Sequence, residues 1–99
     1  MKTIKAYKTV NLKDGGTITK GEAFTLMSIY SDRIGKWKRE SDGRELMLKF
    51  STLIKSPSVA TMERWSNDGV AKSVLGARVE PDGHGPYAEP SWMLALGMI

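Results

Sequence analysis

Short runs of strand-forming residues, separated by turns that contain glycine, fill the first half of this chain. The turns fall at residues 13–16, at residues 20–22 and at the pair Asp42 and Gly43. Glycine supplies a backbone with positive φ at little cost, so these points favour tight connections. Turns that recur about every 8–12 residues are typical of small all-β units. Residues 1–55 are therefore predicted to form about five short strands in a small antiparallel β-barrel.

The Asp-Gly turn predicts a β-hairpin. Two strand-like runs, residues 36–41 and 44–50, are joined by that turn, which indicates a hairpin with a type I′ turn. Leu46, Leu48 and Phe50 are expected to share one face, with Trp37 packed opposite them, because side chains alternate along a strand. The apolar positions of residues 46–54 also fit helical spacing, as the first helix of a helix-turn-helix would. The sequence leaves strand and helix both open there.

From residue 56 onward the pattern changes to helix signals. Residues 56–58, Ser-Pro-Ser, supply a cap and a proline at the first helical position. Residues 59–68 have helical spacing of apolar side chains, and Gly69 is placed to end that helix. Residues 70–79 are expected to form a short irregular ribbon, and residues 90–97 a second short helix. We expect the apolar C-terminus to be packed against the body or against a subunit.

Together these patterns predict an α+β fold in a single domain, residues 1–99. The β-barrel of residues 1–55 is followed by a helix–ribbon–helix unit, residues 56–99, that packs on it. The order of strands and turns, with KGEAFTL at residues 20–26 and STLIK at residues 51–55, resembles a Src-homology-3-like barrel. That resemblance concerns the fold and implies no function.

Composition argues against catalysis and against a membrane span. The chain has no Cys and one His, His84, so it offers no disulfide, no thiolate nucleophile and no metal-binding cluster. No Gly-x-Ser-x-Gly motif is present. No apolar run approaches the roughly 20 residues of a membrane span, and the first residues lack the apolar stretch of a signal peptide. We expect a cytoplasmic binding protein that is not an enzyme and uses no metal or cofactor.

Positive charge is concentrated in the first half of the chain. The net charge is +4, but residues 1–55 hold twelve Lys and Arg against six Asp and Glu. Residues 56–99 hold three against five. Such a basic region attracts nucleic acid or an acidic protein. The alternation around Trp37 places two lysines on the opposite face, so the candidate phosphate-binding residues here are Arg33, Lys36, Lys38, Arg39 and Arg44.

Residues 58–70 have the form S-x-x-T-x-x-R-W-x-x-D-G-V. This pattern resembles the second helix of MerR-type regulators and phage excisionases. The resemblance implies that Thr61 and Arg64 contact the DNA backbone and groove while Trp65 packs inward. Lys72 completes the candidate groove-reading set.

The end of the chain, VEPDG followed by PSWMLALGMI, resembles the C-termini of small uncharacterised proteins encoded by bacteriophages and prophages. The resemblance spans residues 57–99 and implies an origin in a mobile element and a bacterial cytoplasm. It brings no activity with it.

Three functions remain open. The first is a phage or prophage DNA-binding protein, regulatory or accessory to recombination, that holds duplex DNA on its basic face. The second is a protein-interaction module that binds a host enzyme or a defence complex. The third is a virion or assembly component that self-associates, for example as a homodimer, through the apolar residues Met98 and Ile99.

Overall fold

The computed structural model describes residues 2–99, which form eight short strands and three helices. The predicted α+β class is confirmed, and every strand pair in this part of the chain is antiparallel. In chain order the elements are β1 (Thr3–Lys5), β2 (Val10–Asn11), β3 (Thr17–Ile18), β4 (Ala23–Ile29), β5 (Ile34–Arg39), β6 (Glu45–Lys49), α1 (Phe50–Leu53), α2 (Val59–Asp68), β7 (Ala71–Lys72), β8 (Arg78–Val79) and α3 (Trp92–Ala95).

A four-stranded sheet with the order β1-β4-β5-β6 is the largest unit of the fold. Leu26 on β4 lies opposite Trp37 on β5. Both side chains are buried together with Phe24, because alternate residues of a strand share one face. Lys36 and Lys38 flank Trp37 along β5 and therefore lie on the other face of the sheet, as predicted.

The sheet is open, and residues 2–99 contain no closed barrel. The barrel prediction is wrong because the strands of the first half divide between two sheets: β2 pairs with β3 apart from the four-stranded sheet. After β6 ends at Lys49 the chain forms helix α1, which begins at Phe50. Phe50 and Leu53 are both fully buried. Residues three apart share a face in a helix but lie on opposite faces of a strand, so a helix buries both. The open choice at residues 46–54 is thus resolved as a strand followed by a helix.

The β5–β6 hairpin is present, but its connection is longer than predicted. Residues 40–43 form the loop, and Arg39 donates its backbone N–H to the Arg44 carbonyl at 2.8 Å. The Asp42 carboxylate accepts the Arg44 N–H at 2.9 Å, and Gly43 takes a φ of 71°. The predicted two-residue type I′ turn is therefore wrong, because Asp42 caps the loop with its side chain.

Helix α2 matches its predicted bounds, since residues at each end fix it. The Ser58 hydroxyl accepts the Thr61 N–H at 3.2 Å and serves as the N-cap. Pro57 precedes this cap instead of following it, two positions earlier relative to the helix than predicted. Gly69 ends the helix in the left-handed region, with a φ of 71°.

The C-terminal segment packs into the same core as the sheet. Trp92, Met93 and Ala95 of α3 are buried in one cluster with the side chains of the sheet's inner face. Met98 and Ile99 remain 41% and 57% exposed, so these two side chains are not part of the core. No helix within residues 2–99 has the length and apolar character needed to cross a lipid bilayer.

Candidate functional site

A groove of about 860 Å³ lies on the surface of the described chain. Four segments line it: β1 with the residues after it, the α1–α2 linker with the start of α2, the turn after β7, and the start of α3. The lining residues are Ile4, Lys5, Tyr7, Leu53, Ile54, Lys55, Ser56, Pro57, Ser58, Thr61, Trp65, Lys72, Ser73, Val74, Leu75, Gly76 and Trp92. We call this surface the groove.

Aromatic and aliphatic side chains form most of the groove. Tyr7 is held beside the end of α1 by a backbone hydrogen bond of 3.1 Å from its N–H to the Leu53 carbonyl. Trp65 lies three residues after the buried Met62 and so projects from the inner side of α2. Tyr7 and Trp65 are half-buried, whereas Trp92 is almost fully buried. The first two rings therefore keep surface that a ligand can cover.

Three exposed lysines surround this apolar surface. Lys5 ends β1, Lys55 lies in the α1–α2 linker and Lys72 ends β7. Within residues 2–99 none of them makes an ion pair, and no carboxylate lines the groove. The Lys8 Nζ adds a fourth charge, 5.3 Å from the centre of the Tyr7 ring. The groove therefore favours a ligand with negative charge and apolar surface.

The N-terminal end of α2 also lies at the groove. Ser58 and Thr61 line it, and their hydroxyls are 3.0 Å apart within the cap. A helix N-terminus carries partial positive charge, so it adds to the field of the lysines. Thr61, one of the predicted site residues, lines the groove. Its hydroxyl is already hydrogen-bonded to the Ser58 hydroxyl.

The two lysines predicted on the hairpin lie on a different surface. Lys36 and Lys38 are on the outer face of the sheet, where Lys38 pairs with Glu45 in the β5–β6 register. The Lys36 Nζ is 3.7 Å from the Glu45 carboxylate. This face mixes the two signs of charge, so it offers a weaker attraction for phosphate than the groove does.

Arg39 and Arg44 are occupied by contacts within the chain. The Arg39 guanidinium donates to the Thr17 carbonyl at 3.0 Å and lies 5.7 Å from the centre of the Phe24 ring. Its side chain is only 13% exposed and is 3.6 Å from the Glu22 carboxylate. The Arg44 guanidinium is 3.2 Å from Asp14. Arg39 thus stabilises the fold, and little of its guanidinium is exposed to bind phosphate.

The remaining predicted residues are divided between two regions. Arg33 lies at the turn before β5, with its guanidinium against Gly97. Arg64 is exposed on α2, one turn after Thr61, and does not line the groove. Lys72 does line it. Of the eight predicted residues, the structure brings only Thr61 and Lys72 together at the groove.

The groove residues that the sequence prediction missed come from distant segments. Lys5 and Lys55 were not among the predicted site residues; they lie on β1 and in the α1–α2 linker, so no spacing along the chain connects them with each other or with the predicted Lys72 on β7. The one available signal was the alternation that begins at Ile4, which places Lys5 on an exposed position of a strand.

Residues 2–99 contain no group of three or more His, Cys, Asp or Glu side chains that could hold a metal ion. His84 lies in the C-terminal segment, with its Nε2 3.0 Å from the Asp32 carboxylate, and both side chains are about half exposed.

No protein-family model, curated protein or solved structure matches this chain.

Proposed function

We propose that this protein binds nucleic acid at the groove, where Lys5, Lys55 and Lys72 neutralise phosphates. One observation carries the proposal: three exposed lysines without ion-pair partners surround a groove that no carboxylate lines. A protein that neutralises phosphates with Lys or Arg releases counterions, and this release drives binding that is independent of sequence.

The proposal includes the origin that the sequence suggests. The resemblance of residues 58–70 to MerR-type regulators and excisionases, and of residues 57–99 to phage-encoded proteins, supports an accessory or regulatory role for a phage or prophage in a bacterial cytoplasm. The exposed Arg64 on α2 would then contact nucleic acid beside the groove.

Fluorescence anisotropy of labelled mixed-sequence DNA tests the proposal. The groove variant carries Lys5→Ala, Lys55→Ala and Lys72→Ala, and the control carries Lys13→Ala, Lys20→Ala and Lys38→Ala, which removes equal charge elsewhere. We expect wild type to bind in the roughly micromolar range at low salt. The groove variant should reduce the slope of log K against log salt by about 2–3, since each phosphate contact contributes about 0.7–0.9.

The control triple variant distinguishes binding at the groove from attraction by the net charge of the protein. It should keep most of the slope, because its lysines do not line the groove. Equal losses in the two variants would show that net charge alone governs binding. Absence of DNA binding by the wild type at low salt would overturn the proposal.

An acidic partner protein is the second candidate. The partly exposed aliphatic side chains of the groove, Ile4, Ile54 and Leu75, suit the apolar face of a peptide segment whose carboxylates reach the lysines. This candidate predicts that an acidic amphipathic partner is captured from a host lysate by wild type and is lost with the groove variant. It also predicts indifference to bare DNA.

A further inference from the structure

The composition of the groove distinguishes between forms of nucleic acid. Its rim is cationic, but most of the surface between the lysines is apolar and includes the exposed parts of Tyr7 and Trp65. We infer that the groove binds an unpaired strand, with a base stacked on Tyr7 or Trp65 and the flanking phosphates on the lysines. This inference rests on the proposed function and names the form of nucleic acid that the site selects.

A duplex leaves the apolar part of the groove unfilled. Its bases are stacked and paired inside, and its outer surface presents phosphates and sugars on a convex backbone. Such a surface reaches the lysines of the rim but presents no accessible base face that could stack on the rings of Tyr7 and Trp65. An unpaired base has two apolar faces and carries its phosphates on both sides, which matches both parts of the groove.

The size of the groove agrees with this occupant. Its volume of about 860 Å³ falls in the range of about 300–1,000 Å³ that sites for small molecules occupy. A base with its sugar is a small-molecule ligand that fits within this volume. Sites that bind single strands without sequence preference combine a positively charged groove with aromatic side chains, and this groove has both.

Trp65 provides a direct signal for occupancy. Trp37 is fully buried and Trp92 is 5% exposed, so Trp65 is the tryptophan with surface available to a stacked base. A base on the Trp65 ring should quench its fluorescence, whereas phosphates on the lysines alone should leave it nearly unchanged. The Trp65→Phe variant identifies the source of the signal, because it keeps an aromatic ring.

The experiment compares a labelled oligothymidine strand with a hairpin duplex of equal phosphate number, by anisotropy and by tryptophan quenching. The variants are Tyr7→Leu and Trp65→Leu, which keep an apolar side chain without the ring. Tyr30→Leu is the matched control, because Tyr30 is 71% exposed and does not line the groove. Urea unfolding establishes that each variant is folded under the binding conditions.

We expect the strand to bind more tightly than the duplex and to quench the fluorescence. Loss of a stacking ring should weaken strand binding by about 5- to 150-fold and leave duplex binding unchanged. The control Tyr30→Leu should bind the strand as tightly as wild type does. If Trp65→Leu does not fold, the strand affinity of Tyr7→Leu and the quenching of wild-type fluorescence test the inference.

Two results would overturn the inference and leave the proposed function standing. One is duplex binding as tight as strand binding; the other is strand binding without quenching that neither Tyr7→Leu nor Trp65→Leu weakens. Failure of both DNA forms to bind would remove the proposed function itself.

Discussion

The Ser73 hydroxyl donates a hydrogen bond of 2.7 Å to the Glu89 carboxylate, and both side chains are fully buried. The second carboxylate oxygen accepts the Tyr87 N–H at 2.9 Å. The Ser73 hydroxyl oxygen also accepts the Ala77 N–H at 3.0 Å. A buried carboxylate is costly unless hydrogen bonds satisfy it, and these donors do so. The pair therefore joins the β7–β8 turn to the C-terminal segment.

Removing the Ser73 hydroxyl should destabilise the protein. In Ser73→Ala the buried Glu89 carboxylate loses a donor, and the Ala77 N–H loses an acceptor. We expect the free energy of unfolding to fall by about 1–3 kcal/mol, measured by urea denaturation. Ser28→Ala, at an exposed serine of β4, is the control and should change it by less than about 0.5 kcal/mol. A Ser73→Ala variant as stable as that control would contradict the role of the pair.

The parts of the fold that the sequence predicted correctly are those that neighbouring residues decide. Helix α2 was predicted with its correct bounds because Ser58 and Gly69 act on the helix ends next to them. The β5–β6 hairpin was predicted for the same reason. Its loop length was not, because Asp42 could satisfy either a two-residue turn or the wider loop that it caps.

The parts that failed depend on contacts between distant segments. The apolar pattern around Phe50 and Leu53 fits a strand or a helix, and only the core into which both side chains pack selects the helix. The candidate site failed in the same way. Packing brings Lys55 and Lys72 to the same groove. Arg39 was predicted to bind phosphate, but its guanidinium is engaged with the Phe24 ring.

Substitution of the N-cap should weaken helix α2. The Ser58 hydroxyl satisfies the Thr61 N–H, which has no partner within the first turn of the helix. We expect Ser58→Ala to lower the free energy of unfolding by about 1 kcal/mol. Ser66→Ala, at an exposed position inside the same helix, is the matched control and should be neutral or slightly stabilising. Equal unfolding midpoints for the two variants in urea would show that the cap contributes little.

Arg39 and its neighbour Lys38 should respond differently to truncation. Arg39→Ala removes the hydrogen bond to Thr17 and the contact with the Phe24 ring, so we expect a loss of about 1–3 kcal/mol in the free energy of unfolding. Lys38→Ala removes a charge from the outer face of the sheet and should change it by less than about 0.5 kcal/mol. Thermal unfolding of both variants in one buffer measures the difference. The reverse order would mean that the Arg39 contacts do not stabilise the fold.

Asp14 should make the stability of the protein sensitive to acid. The Gly16 N–H, which donates to this carboxylate at 2.9 Å, and then the Arg44 guanidinium hold the pKa of Asp14 below its usual value of 3.8. Because the pKa is lowered in the folded state, the carboxylate stabilises that state at pH above 3.8, and this contribution is lost as the pH falls through the folded pKa. Carboxyl NMR titration should place the Asp14 midpoint below 3.8 in wild type and higher in Arg44→Ala, where the Gly16 N–H remains. In Asp14→Asn, stability should fall less steeply as the pH drops from about 5 toward 2. An Asp14 midpoint unchanged by Arg44→Ala would remove the guanidinium as a cause, and a wild-type midpoint at or above 3.8 would contradict the prediction as a whole.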